Sequence, residues 1–139
     1  MRLRILLPLM IAAVVRLAHD AHADSGVVVI GHSGLERIDP AMIQKIYTGR
    51  VVEVGGISLK PINASVGSAT RQRFLQTYLN QDDDNYIAYW TVRRYIGKGV
   101  PPREVANATE VIRFVQSTPG AIGYIDESSV TPGLNILIH

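Results

Sequence analysis

The chain has 139 residues, with 14 Lys and Arg, 12 Asp and Glu, and no cysteine. The lack of cysteine excludes disulfides, thiol chemistry and cysteine-based zinc sites. Without residues 1–23 the counts of basic and acidic residues are equal, at 11 each. A general basic surface for nucleic acid is therefore not expected.

The first 23 residues have the pattern of a secretory signal peptide. Arg2 and Arg4 precede an apolar run over 5–15, and small residues at 21–23 suit a cleavage site before Asp24. The apolar run of 11 residues is much shorter than the roughly 20 needed to span a bilayer. We expect a periplasmic or secreted mature chain, 24–139, whose length suits one domain.

The first half of the mature chain predicts a strand, a helix and a second strand. The β-branched run 26–32 is bounded by glycine and indicates a buried strand. Asp39 and Pro40 are typical of a helix start, and Gly49 of a helix end. Residues 57–63 alternate between apolar and polar, as expected for a half-buried strand.

Two more helices are predicted before the chain reaches a proline pair. An apolar stripe from Phe74 to Leu79 indicates a helix that begins at about Thr70. Three aspartates at 82–84 suit the N-terminal dipole of the next helix, which we expect to end at Gly97. Residues 97–105 are predicted to form a loop, because Pro101 and Pro102 forbid regular pairing.

The last segments predict one helix and two short strands. Asn107 and Glu110 have the spacing of a capping box, and the helix is expected to run to Thr118. The apolar segments 120–125 and 134–138 are predicted strands. Because strands and helices alternate, the sequence predicts a layered α/β domain rather than a bundle or a sandwich.

The catalytic and metal-binding patterns in the mature chain are weak. His32 lacks the nucleophile elbow of a hydrolase, and 97–99 lacks most of a phosphate-binding P-loop. The aspartates at 82–84 lack the Gly and distal Glu of a calcium loop. We therefore predict a non-enzymatic protein with no catalytic residue, no metal site and no cofactor.

The segment 63–74, "NASVGSATRQRF", allows two interpretations. A strand that ends near Asn63 and a helix that starts near Thr70 leave several N–H groups unpaired at the helix start. Hydroxyl groups and the positive charge of Arg71 then suit a phosphate-sized oxyanion. In the simpler interpretation, Ser68 only caps the helix and Arg71 is a surface residue.

Several segments together resemble the phosphate-binding proteins of ABC importers. "GSATRQRFLQTYL" is similar to the "GSGT" element that opens a helix in this family, and "STPGAIGYI" resembles a helix-to-strand turn of its second lobe. "LERIDPAMIQKIYTGRV", "ISLKPIN" and "GKG" match further family segments in the same order. The resemblance covers nearly all of residues 26–138.

The resemblance implies one lobe of a type II periplasmic binding protein, an α/β lobe with a mixed sheet flanked by helices in three layers. It also implies a non-catalytic, exported solute-binding protein of the phosphate importer class. Transfer of the motif residue by residue places the phosphate site at Gly67, Ser68 and Thr70, to which we add Arg71. The expected partners are phosphate or a similar oxyanion and a homodimer, membrane transporter or envelope protein, with no nucleic acid.

Two departures from the family pattern bear on this expectation. The chain has length for only one lobe, whereas family members close two lobes on phosphate. Ala69 replaces the second Gly of the motif, and Ala64 or a neighbour stands where the family has an arginine. An open half-site of this kind supplies only about 4 kcal/mol, which corresponds to roughly millimolar affinity.

The departures leave a second function open, in which the lobe has lost its ligand and acts as a protein-interaction or sensory module of the envelope. Its contact surface would be the segment 89–103, which contains Trp90, Tyr95 and three arginines. These residue types are enriched at interfaces. The same segment also fits a helix with a core-facing aromatic stripe and an arginine-rich solvent face.

Overall fold

A computed structural model describes residues 26–138 of the chain. The predicted signal peptide 1–23 and its cleavage site before Asp24 lie outside the described residues. Of the helices in the described part, none is long and apolar enough to cross a membrane.

Between residues 26 and 138 the fold contains seven strands and four α-helices. The strands are β1 (Val27–Gly31), β2 (Glu53–Val54), β3 (Ile57–Ser58), β4 (Lys60–Ala64), β5 (Arg103–Val105), β6 (Ala121–Asp126) and β7 (Asn135–Ile138). The helices are α1 (Pro40–Tyr47), α2 (Ala69–Phe74), α3 (Asp83–Tyr95) and α4 (Ala108–Ser117). A π-helical turn, Leu75–Leu79, continues α2, and a 3₁₀ turn, Glu127–Ser129, follows β6.

Five of the strands form one mixed sheet in the order β5-β4-β6-β1-β7. Strand β4 pairs in parallel with β5 and β6, whereas β1 pairs antiparallel with β6 and β7. Strands β2 and β3 form a separate hairpin. The mixed α/β architecture expected from the alternation of segments is confirmed.

The sheet separates two hydrophobic cores, because successive side chains of a strand point to opposite faces. Val28 and Ile30 of β1 pack with the apolar face of α4, including Val111 and Val115. Val27 and Val29 face a larger core built from residues of α1, α2 and α3, which includes Ile46, Phe74 and Trp90. Helices therefore cover both faces, which gives the three layers that the resemblance implied.

The connections around β4 place the starts of two helices near the carboxyl end of this strand. After β4 the chain passes through α2 and α3 to reach β5, and then returns through α4 to β6 on the other side of β4. Strand β4 is thus a topological switch point, where open α/β sheets form a crevice at the carboxyl ends of their strands. The starts of α2 and α4 lie at this crevice.

One sequence prediction about the region after α2 is wrong, and another holds only in part. Residues 103–105 were expected in a loop, but they pair with 62–64 as the edge strand β5. The two prolines precede the paired residues, so they remove no ladder hydrogen bond. In α3, Val92 and Tyr95 are exposed, and the buried stripe consists of Tyr86 and Trp90. The aromatic stripe expected to face the core in the segment 89–103 therefore holds for Trp90 but not for Tyr95.

The capping box at the start of α4 is present. The Asn107 side chain accepts a hydrogen bond from the Glu110 N–H at 3.0 Å, and the Glu110 carboxylate accepts from the Ala106 N–H at 2.9 Å. Two N–H groups that have no partner inside the helix are thereby satisfied.

We expect the substitution Asn107→Ala to lower the free energy of unfolding by about 1 kcal/mol, because it removes the cap of α4. Urea denaturation followed by circular dichroism measures this effect. Thr109→Ala, two residues further into the same helix, is the matched control and should have a smaller effect. Equal losses for the two variants would contradict a specific capping role.

Candidate functional site

The start of α2 follows directly on the carboxyl end of β4. Gly67 has a φ of +78°, a conformation that side chains other than glycine rarely adopt. It turns the chain so that Ser68 becomes the N-cap, and the Ser68 side chain accepts a hydrogen bond from the Arg71 N–H at 3.3 Å. The predicted helix start and cap are confirmed, with the first helical residue at Ala69.

Arg71 is buried, with 3% of its surface exposed, so the interpretation as a surface residue is wrong. Its Nε donates to Asp83 Oδ1 at 2.6 Å, and its Nη1 donates to the Ala64 carbonyl at 3.2 Å. The guanidinium also lies 5.4 Å from the centre of the Tyr86 ring, within cation–π range. The side chain therefore extends back from α2 to the end of β4, beside the position where the resembling family has its arginine.

Two carboxylates of the chain already accept hydrogen bonds from N–H groups of the turn before α2, where the phosphate site is predicted. The Gly67 N–H donates to Asp83 Oδ2 at 2.7 Å, so Asp83 is bound by both this N–H and Arg71. The Val66 N–H donates to Glu104 Oε1 at 2.8 Å, and this oxygen lies 3.6 Å from Arg71 Nη1. The N–H groups of the turn before α2 thus donate to carboxylates of the chain itself.

Thr70 lies on the side of α2 that faces β6. Its hydroxyl donates to Asp126 Oδ2 at 2.9 Å, and the Asp126 carboxylate also pairs with Arg73. Thr70, Ser68 and Asp126 line a small cavity of about 80 Å³ between the starts of α2 and α4. Asn107, the N-cap of α4, lies on the opposite wall.

Beneath the site, a buried network of hydroxyl and amide groups fixes the end of β4. The Asn63 side chain accepts from the Tyr124 hydroxyl at 3.0 Å and donates to the Tyr86 hydroxyl at 3.2 Å. The Tyr124 hydroxyl accepts from the Ala64 N–H at 3.0 Å, and the Tyr86 hydroxyl donates to the Tyr47 carbonyl at 2.9 Å. Polar groups bonded in this way hold the backbone before the turn in one position.

Burial governs the acidity of these phenols. Desolvation by the surrounding core raises the pKa of Tyr47, Tyr86 and Tyr124 above the usual value for tyrosine. Nearby tyrosines add to the increase in pKa for Tyr47, while hydrogen bonds partly offset it for the other two. All three phenols are therefore neutral donors and acceptors at physiological pH.

The four predicted ligand residues lie together at the start of α2, but each is engaged by another group of the chain. Sequence reasoning missed Asn63, Asp83 and Glu104, which surround them. Asp83 is one of the three aspartates at 82–84, and this run predicted only the start of a helix. In the described range, 26–138, no cluster of three or more His, Asp or Glu side chains could hold a metal ion.

The mixed sheet, the helices on both faces and the crevice at β4 define a lobe of the type II periplasmic binding protein fold. Among solved structures, the chain is similar to a phosphate ABC transporter substrate-binding protein of Clostridium perfringens with bound phosphate. That match has 19% identity and a TM-score of 0.64, and covers 81% of this chain and 44% of the other.

Two further solved structures are similar to this chain to a comparable degree. PstS from Borrelia burgdorferi matches with 22% identity and a TM-score of 0.60, over 81% of this chain and 46% of that one. An ABC-type phosphate transport receptor from Vibrio cholerae matches with 15% identity and a TM-score of 0.56, over 81% and 45%. The chain thus spans less than half the length of each. No protein-family model and no curated protein sequence matches it.

Proposed function

We propose that the chain is an exported, non-catalytic solute-binding protein related to the phosphate-binding component of ABC importers. It recognises phosphate or a similar oxyanion with Gly67, Ser68, Thr70 and Arg71. The observation that carries this proposal is the carboxylate of Asp83, held at 2.7 and 2.6 Å by the Gly67 N–H and the Arg71 side chain. A turn that holds one oxyanion with this geometry has the donors for another.

Phosphate must displace Asp83 to use these donors. The charged side chains around the turn are Arg71 and Arg73 on one side and three carboxylates on the other, Asp83, Glu104 and Asp126. The local charge is therefore negative, and it opposes the approach of a dianion. We expect the wild-type chain to bind phosphate with an affinity of about 1 mM or weaker.

The substitution Asp83→Asn should strengthen phosphate binding at least tenfold. It removes the competing negative charge while it keeps the shape of the side chain, so phosphate no longer competes with an anion tethered at the same donors. Titration calorimetry at low salt on residues 24–139, with phosphate as ligand and sulfate as competitor, measures the change. Asp84→Asn is the matched control, because it removes the same charge from an exposed neighbour and should have a much smaller effect.

Two results would contradict the assigned site. One is the absence of saturable binding to both the wild type and Asp83→Asn at about 10 mM phosphate. The other is unchanged binding in the double variant Ser68→Ala and Arg71→Ala, provided that circular dichroism shows it folded. Tight binding to the wild type, below about 10 µM, would instead indicate that a dimer or a partner completes the site.

The exposed apolar residues after the middle of α3 support a second candidate function, the ligand-free interaction module. Val92, Tyr95, Ile96 and Val100 are 60%, 92%, 57% and 67% exposed. Light scattering on the wild type and on the double variant Val92→Glu and Tyr95→Glu tests a homodimer through this surface. We expect a wild-type dimer and a monomeric variant, and the same mass for both would exclude self-association at this surface.

A further inference from the structure

A second cavity, separate from the small one between α2 and α4, lies between α3 and the segment that leads into β5. Its volume is about 280 Å³, close to the lower end of the range for small-molecule sites, about 300 to 1,000 Å³. The apolar part of its wall consists of Ile87, Trp90 and Pro101 with their neighbours Tyr86 and Pro102. A cavity of this size and lining suits the apolar body of a small organic molecule.

The polar part of the wall contains three charged side chains, Arg71, Arg94 and Glu104, together with the uncharged Asn63 and Thr91. Their formal charges sum to +1. Glu104 is already bonded to the Val66 N–H and lies 3.6 Å from Arg71. Arg94 makes no ion pair with any residue from 26 to 138. Because Asp83 and Glu104 both lie beside Arg71, the cation of the wall that favours a monoanion is Arg94.

Arg71 supplies a buried donor at this wall. Its side chain is 4% exposed, and within the described part of the chain its hydrogen bonds use Nε and Nη1. The Nη2 amino group makes no hydrogen bond to a described residue. This amino group is therefore left available to an acceptor in the cavity that Arg71 lines.

We infer that this cavity binds a small organic monoanion, an apolar body with one carboxylate. The carboxylate lies between Arg71 Nη2 and Arg94, and the apolar body lies against Trp90 and the two prolines. This site differs from the start of α2, because Arg71 is the one residue of the four assigned to phosphate that lines it. The inferred ligand also contacts a different nitrogen of the Arg71 guanidinium from the one that holds Asp83. The inference does not depend on phosphate binding.

The tryptophan offers a direct measurement. Trp90 is the single tryptophan of the chain and lines the cavity, so its fluorescence reports on occupancy. The probe is cyclohexanecarboxylate, with the neutral isostere cyclohexanecarboxamide as the reference compound. We expect saturable binding of the carboxylate with a Kd at or below about 1 mM, and at least tenfold weaker binding of the amide.

Arg94→Gln should weaken binding of the carboxylate about fivefold to tenfold, because it removes one of two cationic contacts. Arg113→Gln on α4 is the matched control, since it removes the same charge from an exposed position outside this cavity, and it should leave the affinity unchanged. Because Arg94 is not among the residues assigned to phosphate, this pair of variants separates the two sites.

Three outcomes would overturn the inference: no saturable change at about 10 mM probe, equal affinity for the acid and the amide, or equal effects of the two arginine variants. Amide shifts in ¹⁵N-resolved NMR spectra over 86–94 and at Val100, Arg103 and Glu104, which flank the two prolines, provide the second measurement. A silent fluorescence signal is then not mistaken for absent binding. Binding of the carboxylate here, together with no phosphate binding to the Asp83→Asn variant, would support the monoanion site and contradict the phosphate proposal.

Discussion

Arg71→Met is expected to lower the free energy of unfolding by about 3 to 5 kcal/mol, the usual cost of removing one partner from a buried ion pair. The side chains of Arg71 and Asp83 are only 4% and 14% exposed. Methionine has a similar reach, but it leaves the Asp83 carboxylate with the Gly67 N–H alone and the Ala64 carbonyl without its donor. Urea denaturation, with circular dichroism and Trp90 fluorescence as probes, measures the loss.

The second ion pair on α2 provides the matched control. Arg73 pairs with Asp126, but the two side chains are 34% and 27% exposed, so solvent screens the pair. Arg73→Met should therefore cost no more than about 1 kcal/mol. A loss of similar size in both variants would show that Arg71 contributes mainly through packing rather than through its charge.

A double-mutant cycle separates the charge of Arg71 from its packing. Asp83→Leu removes the carboxylate, so Arg71→Met in that background should cost clearly less than in the wild type. The difference between the two costs is the coupling energy of the pair. A coupling energy near zero would mean that the Arg71–Asp83 ion pair does not contribute to stability. It would also argue against the proposal that Asp83 holds the donors that phosphate would use.

Local sequence signals predicted most of the elements because they depend on neighbours in the chain. Asp39 with Pro40, the Ser68 cap, the aspartates before α3 and the Asn107 box each mark a helix start that the structure confirms. The β-branched run that predicted β1 is likewise a pattern of neighbouring residues. The edge strand β5 was missed because its three residues have no pattern of their own, and they pair only once β4 is in place.

The site was predicted only in part, because its character depends on residues that are distant in sequence. The motif at 67–71 indicates donors at a helix start, and the structure places those donors together. The acceptors come from Asp83, Glu104 and Asp126, which are 16, 38 and 56 residues from their partners Gly67, Val66 and Thr70. No local pattern links such residues, so the sequence could not show that the donors are internally paired.

At alkaline pH, above about 10, the protein should lose stability and then unfold cooperatively. Burial raises the pKa of Tyr47, Tyr86 and Tyr124 in the folded chain, whereas unfolded tyrosine has a pKa of about 10. Below pH 10 both states keep these protons and stability is complete. Above pH 10 the unfolded state releases them first, so the free energy of unfolding falls as pH rises.

The slope of the free energy of unfolding against pH reports how many buried phenols titrate. Each one lowers the free energy of unfolding by up to about 1.4 kcal/mol per pH unit, or about 4 kcal/mol per unit for three. Against a typical total of about 5 to 15 kcal/mol, this loss is enough to unfold a small domain. Burial also raises the pKa of the half-buried Tyr78, which adds a smaller contribution to the slope. Tyr86→Phe should therefore reduce the slope by about one quarter to one third, because one of these groups no longer titrates.

Tyrosinate absorbance and far-ultraviolet circular dichroism, recorded on the same samples, test this prediction. The buried phenols should ionise together with the loss of helical signal, in one transition. Tyr95→Phe is the control, because Tyr95 is 92% exposed and its removal should leave the slope unchanged. Full ionisation of the tyrosines while the helical signal persists would mean that the network beneath the start of α2 opens without unfolding, and that it does not hold the end of β4 in place.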